Sequence, residues 1–459
     1  MTVDVYTDIE KEYVSRTKQS RSHDRNACCY FPGGSTRSAT DSDPYPIYMK
    51  TGNGCMLTDY DGNEYIDFMN NYSTLILGHS HPSVNHAIME CVKDGIILGA
   101  PSREQYELAK IFCERVKSID KIRFCNTGTE AVMYAIRTAR AVTGKNKVVK
   151  VEGGFHGNTE QVEISVSPDI QQSGPAQRPR AQPNTQGITP GVLQDVIIIP
   201  FNNIKGTARI IEEKSKDIAA VIIEPLLGYS GMIPADREYL ESLREITLQK
   251  NILLIFDEII SYRLSYGGAQ EIYGIQPDLT TIGKIIGGGL PIGAFGGNDK
   301  YMEIYSPKRK KPLHHSGTFN GNRVTMNAGI AVMNEIDRNL ISRINRLGEK
   351  LKRGMLELFN KKGIHGLVTG TGSLLNVHFS TRPVTDYRTS RTNWDSAAPI
   401  RRLLNLALKN RGIYTPQRVM FSISAPMTDR EITRTVEAFY ECLDQLHPLI
   451  KEYCPELLE

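Results

Sequence analysis

The chain has 459 residues, 40% of them hydrophobic, enough to bury a large core and to divide into at least two structural units. Its 55 basic and 51 acidic residues leave a formal charge of +4 with no sustained basic block, which argues against nucleic acid or a membrane as partner and leaves acidic small molecules open. The start is rich in acids and no stretch is apolar for the length of a signal core or a membrane span, so the cytoplasm is the expected compartment.

Residues 1–25 are charged and polar and suggest a helix or a mobile arm. Next, MLTDYDGNEYIDF contains two β-rich runs joined by Asp61-Gly62, the strongest short hairpin signal in the chain. From about Pro82 to Pro312, strands alternate with amphipathic helices, which predicts an α/β domain with a parallel sheet and helical crossovers. Within it, KIRFCNTGTEAVMYAIRTARAVTG places Thr127, Gly128 and Thr129 at a helix N-terminus. Unpaired amides and the helix dipole favour an anion there, and an ordinary cap made by Thr127 or Thr129 with Glu130 is the equal alternative. The strand in KVVKVEGGFHGNTE ends in Gly153 and Gly154. Phe155 is placed to lie over a flat ring or to fill a core, and His156 to act at a site or to bond backbone.

The segment 167–191 is rich in Pro, Gln and Gly without periodicity and reads as a long exposed loop. VIIEP puts Glu224 at another strand end, and NILLIFDEIISYR delivers Asp257 at the end of an apolar run, where open α/β sheets collect their active sites. In PDLTTIGKIIGGGLPIGAFGG, Lys284 stands between an apolar run and three successive glycines, where backbone can approach a planar ligand. That loop lacks the spacing of a Walker motif or of a dinucleotide fingerprint. A lysine able to condense with an aldehyde, plus an acid that keeps a pyridine nitrogen protonated, suits pyridoxal phosphate. HHSGTFNGN follows, with Ser316, Thr318 and Asn320 in a phosphate-like loop. Beyond the helix NRVTMNAGIAVMNEIDRN the alternation thins. The expected division is therefore 1–81 and 313–459 as a smaller α+β domain around a cofactor domain at 82–312. The eight cysteines show no CxxC pair and no histidine spacing suited to zinc, so reduced thiols and no metal are expected.

In order, NTGTEA, GGFHG, IEP, FDEI, TIGKIIGGGLPIGAFGG and GTFNGN resemble the class III aminotransferases, fold-type I pyridoxal phosphate enzymes, from about Phe31 to the C-terminus. The branch most resembled holds glutamate-1-semialdehyde aminomutase and the β-amino acid (β-phenylalanine) aminotransferases; FPGGSTRS, DEIISYRL, HSGTFN, TGTGSLLNVHF and IYTPQR favour the latter. The resemblance implies that Lys284 carries the cofactor and shuttles the proton, Asp257 partners the pyridine nitrogen, and Phe155 stacks on the ring. His156 and Glu224 would border the cofactor. Thr127, Gly128 and Thr129 would bind its phosphate, and Thr318 would reach across a homodimer with shared sites. Arg37 and Arg418 would hold a substrate carboxylate, a role that suits the planar guanidinium. Tyr72 and Tyr229 would shape a side-chain pocket. Leu226-Leu227 departs from the branch, which often has a polar amide there. The implied activity is amino transfer from a carboxylate-bearing amino acid, a β-amino acid foremost, to an oxo acid. The alternatives are an intramolecular aminomutase and a non-catalytic protein that kept the fold.

Overall fold

The structure is a computed structural model that describes residues 2–459, with side chains from residue 8 onward. Two compact units share the chain, one made of Met1–His81, Arg343–Val384 and Thr389–Glu459, the other of Pro82–Ser342 and Thr385–Arg388.

The larger unit is built on a seven-stranded sheet ordered Lys121–Cys125, Gly293–Gly297, Leu279–Gly283, Leu253–Asp257, Ile218–Ile223, Lys147–Val151, Val196–Ile199. Runs such as IAAVII and LLIFD are buried along their whole length, as strands covered on both faces require. The central pairings are parallel, whereas Gly293–Gly297 runs antiparallel to both its neighbours. Glycine is needed at its first position because a Cβ on Gly293 would lie 2.0 Å from the carbonyl oxygen of Thr127. Ala131, Ala135 and Ala139 of the helix Gly128–Thr143 are fully buried in the core with Ile222, Ile255 and Leu279. Their short side chains let the helix lie close on the sheet.

The smaller unit contains the expected hairpin, with Met56–Asp59 antiparallel to Glu64–Asp67 and Gly62 at φ +86° in the turn. Ile413–Tyr414 joins this sheet in parallel beside Glu64–Asp67. A second, three-stranded antiparallel sheet follows the order Gly366–Thr371, Leu374–Phe379, Met420–Ser422. The N-terminal region is helical, at Thr2–Arg16 and Lys18–Ala27, and it is anchored: Ile9 and Tyr13 are buried, and the Tyr13 hydroxyl donates to Tyr45 O at 2.7 Å.

The chain passes between units at 342/343, where the sequence suggested 312/313. Helix Arg323–Glu335 packs in the larger unit so tightly that a Cβ on Gly329 would sit 2.6 Å from Ile286 O. The short return Thr385–Arg388 carries no local signal. It belongs to the larger unit because Arg388 makes a bidentate, largely buried ion pair with Glu152 at 2.7 and 3.0 Å. Arg388 also donates to Gly174 O and Ser173 O, and Tyr387 donates to Pro168 O. Thus the irregular 167–191 segment, though mostly exposed, is tied down at Pro168 and at 173–174.

Candidate active site

Asp257 ends a central strand and Thr281 faces it in the parallel ladder of the next, so the two lie one strand spacing apart. Lys284 follows Thr281 by three residues, half-buried, with its backbone at φ +51° in a region that non-glycine residues seldom enter. Asp257 is buried and both its carboxylate oxygens are engaged: Oδ1 accepts from Thr281 Oγ1 at 3.1 Å and Ile259 N at 3.2 Å, and Oδ2, with room for a further donor, faces His156 Nδ1 at 2.8 Å. Burial pushes the His156 pKa down, against the opposing pull of Asp257. An imidazole can meet a carboxylate only through an N–H, so Nδ1 carries a proton and donates. Its buried Nε2 has no hydrogen-bond partner. His156 is therefore aimed at the Asp257 carboxylate.

Three more ionisable groups surround the glycine turn that precedes His156. Glu224 is buried and accepts from Phe155 N at 2.9 Å and Gly228 N at 3.1 Å; burial, then the nearby Asp257 charge, pushes its pKa up to about 8. Lys150 is fully buried in the strand below and donates to Gly154 O at 2.9 Å and Ile164 O at 2.5 Å. Burial pushes its pKa down to about 7. Glu152 holds Arg388, as above. Phe155 is thus fixed through its backbone, and its ring stacks on Tyr229 with centroids 5.5 Å apart and planes at 24°.

The start of helix Gly128–Thr143 carries the ordinary cap that Thr127 and Glu130 allow. Thr127 Oγ1 accepts from Glu130 N, and the Glu130 carboxylate accepts from the amides of Thr127 and Asn126. This leaves the Gly128 and Thr129 amides, at the first two helical positions, without intrahelical acceptors. A Cβ on Gly128 would stand 2.6 Å from Ile259 Cδ1, which places this helix start against the turn just after Asp257. Thr318 lies in an exposed turn of the same unit. Leu226 and Leu227 are buried in a short ladder with Ile233–Pro234.

Arg37, Tyr72 and Arg418 belong to the smaller unit. Arg37 Nη1 donates to Asn71 Oδ1 at 2.9 Å, and its guanidinium lies 5.6 Å from the centre of the Tyr72 ring. The Tyr72 hydroxyl donates to Ala39 O. Arg418 lies 6.0 Å from the ring of Trp394, which Arg391 and Arg401 also approach, at 4.2 and 3.6 Å. Burial and the neighbouring arginines push the Arg401 pKa down to about 10.

Sequence reasoning passed over Lys150, Glu152, Arg388 and Asn71. Lys150 had a signal, a lysine inside an otherwise apolar strand. Glu152 and Arg388 had none, because the pair is separated by 236 residues.

A lysine and a buried carboxylate on neighbouring strand ends, a half-buried aromatic ring and a helix start with two open amides define an enzyme that works with a planar, phosphate-bearing cofactor. The chain belongs to the family described as aminotransferase class-III, whose model matches residues 37–443. It is 38% identical to a glutamate-1-semialdehyde 2,1-aminomutase of Sulfurihydrogenibium sp. over 412 residues, 89% of this chain and 93% of that one. An omega-transaminase from Sphaerobacter thermophilus has a similar structure, with 40% identity, a TM-score of 0.89 and coverage of 93% of this chain and 98% of that one. So does a beta-phenylalanine aminotransferase from Variovorax paradoxus, with 33% identity, a TM-score of 0.88 and coverage of 98% and 99%. The protein is a pyridoxal-phosphate-dependent enzyme with small-molecule substrates, and the donor set described above fits that group. No described helix is long and apolar enough to cross a membrane.

Proposed function

We propose that this enzyme transfers an amino group from a carboxylate-bearing amino acid, a β-amino acid foremost, to an oxo-acid acceptor. The observation that carries the reading is the arrangement of Asp257, Thr281 and Lys284 on adjacent strands, with His156 donating to Asp257 from behind. Likeness to a beta-phenylalanine aminotransferase at 33% identity supports the donor class. Pyridoxal phosphate, when bound, supplies an aldehyde that takes up the substrate amine and a ring that accepts electrons as the amine-bearing carbon loses its proton.

Lys284 moves that proton, and Asp257, whose two oxygens accept from three donors, holds the ring nitrogen protonated. Phe155 would stack on the face of the bound ring. Glu224 fixes the Phe155 turn at the cofactor's border, and Gly128 and Thr129, set in place by the Thr127 cap, hold the phosphate through their amides. Arg37 and Arg418 grip the carboxylates of the two alternating substrates, and Tyr72 and Tyr229 border the side chain. The protein works as a homodimer in which Thr318 completes the partner's phosphate site. The exposed apolar side chains Met89, Val92, Ile97, Leu98, Tyr106 and Phe319 of the larger unit support such an interface. All eight cysteines are free, which suits the cytoplasm.

Incubation with β-phenylalanine and 2-oxoglutarate tests the reading; glutamate and an oxo product are expected, and their absence with several β-amino donors defeats the donor assignment. A second reading, an intramolecular aminomutase, is supported by the 38% identity to an enzyme of that name. Turnover of glutamate 1-semialdehyde with no added acceptor would select it.

A further inference from the structure

Asn70, Asn71, Tyr72 and Ser73 lie at φ +47°, +48°, +56° and +69°, four successive residues in the left-handed region with no glycine among them. Single left-handed residues are uncommon outside glycine, and a run is disfavoured at every step because each Cβ crowds a carbonyl oxygen. Such a turn persists only where its surroundings over-determine it. Here they do. Asp67 Oδ1 accepts from the amides of Met69 and Asn70, both at 2.9 Å, while its Oδ2 is held by His79 Nε2 at 2.7 Å. The His79 ring rests against Gly52, where a Cβ would come within 2.6 Å. Asn70 Nδ2 donates to Ser422 O at 2.6 Å, and the amides of Thr74 and Leu75 return to Asn70 O.

What the turn presents is the Asn71 amide and the Tyr72 ring, and both meet Arg37. The amide occupies Nη1 from one side, the ring lies beside the guanidinium, and the Tyr72 hydroxyl secures Ala39 next to it. Arg37 and Asn71 line a cavity of about 420 Å³ together with Asp67, His79 and Tyr414. A right-handed turn would aim these side chains elsewhere.

We propose that the left-handed turn Asn70–Ser73 is a preset clamp and that Asn71 is a positioning residue. It fixes the plane of the Arg37 guanidinium so that a substrate carboxylate meets a pre-oriented fork. This deepens, and rests on, the carboxylate role given to Arg37 above.

Two variants separate side chain from backbone. Asn71→Gly removes the amide but enters the left-handed region freely; Asn71→Ala removes the same amide and forces a methyl group into that region. In both, KM for a carboxylate-bearing donor is expected to rise about tenfold with little change in kcat, and Ki for 3-phenylpropanoate to rise in parallel. Binding of 1-phenylethylamine, which has no carboxylate, stays as in the unsubstituted enzyme. The Tm of Asn71→Ala should fall roughly 2 °C below that of Asn71→Gly. Arg37→Leu serves as reference. An unchanged KM in that variant overturns the carboxylate role and the proposal with it. A raised KM there, with both Asn71 variants unchanged, overturns the positioning role alone, and equal Tm values for the Gly and Ala variants overturn the strained turn.

Discussion

The strand ends of the larger unit and the arginine face of the smaller one solve the problem of holding a charge in opposite ways. At Asp257, Glu224 and Lys150 the ionisable groups are buried in or just past strands, and neighbouring backbone amides, carbonyls and His156 supply the partners. Around Arg37 the charge is exposed, on irregular backbone, and its orientation comes from a strained turn. The lesson concerns what each site must tolerate. A buried site holds one tightly bound group and sets its electronic state, so desolvation and fixed dipoles are useful there. An exposed arginine admits substrates that come and go, so its geometry is best supplied from behind, without loss of access.

The largest effect expected is at Lys284. Lys284→Ala should lower kcat by about 10⁴-fold and abolish the visible absorbance band of lysine-bound cofactor, because the imine-forming amine and the proton carrier are lost together. Residual turnover above about a tenth would break the buried half of the comparison. Asp257→Asn should reduce kcat by about 10³-fold while retaining measurable cofactor binding, since a neutral amide no longer keeps the ring nitrogen protonated. A smaller change would show that His156 or another group shares the task.

Lys409 tests whether buried charge is confined to the larger unit. It is buried in the helix Ala398–Asn410 of the smaller unit, 3.3 Å from Ser42 Oγ, and burial pushes its pKa down to about 8 from 10.5. Between these values the unfolded chain binds the extra proton, so this residue makes stability rise with pH across that window; below pH 8 both states are protonated and its influence is flat. Urea unfolding at pH 8 and pH 10 should show a gain that shrinks, by on the order of 2–3 kcal/mol, in Lys409→Met. Equal pH slopes in the two proteins would mean that Lys409 is solvated. The smallest effect is at the stacking residue: Phe155→Leu should weaken cofactor binding by about fivefold, read by fluorescence titration, because aromatic stacking adds only about 1 kcal/mol beyond burial.

Local pattern made much of the larger unit legible. Asp257 and Lys284 could be placed because apolar runs of strand length end at them, and the helix after Thr127 because alanines recur at its period. The Thr127 signal was ambiguous for a physical reason: the same hydroxyl and amides serve a cap and an anion, and here the cap takes the hydroxyl while the amides stay open. His156 was visible as a candidate, yet its direction toward Asp257 depends on a strand 101 residues away. The left-handed turn at 70–73 carries no glycine to announce it.

By itself the sequence determined the family, the cofactor chemistry and the strand ends that carry it. Those follow from periodicity and from short motifs whose parts act on one another within a few residues. Tertiary structure alone decided the return of Thr385–Arg388 to the larger unit, the pairing of His156 with Asp257 and the strained turn behind Arg37. Each of these depends on burial or on partners distant in sequence, and desolvation and long-range hydrogen bonds leave no trace in local order.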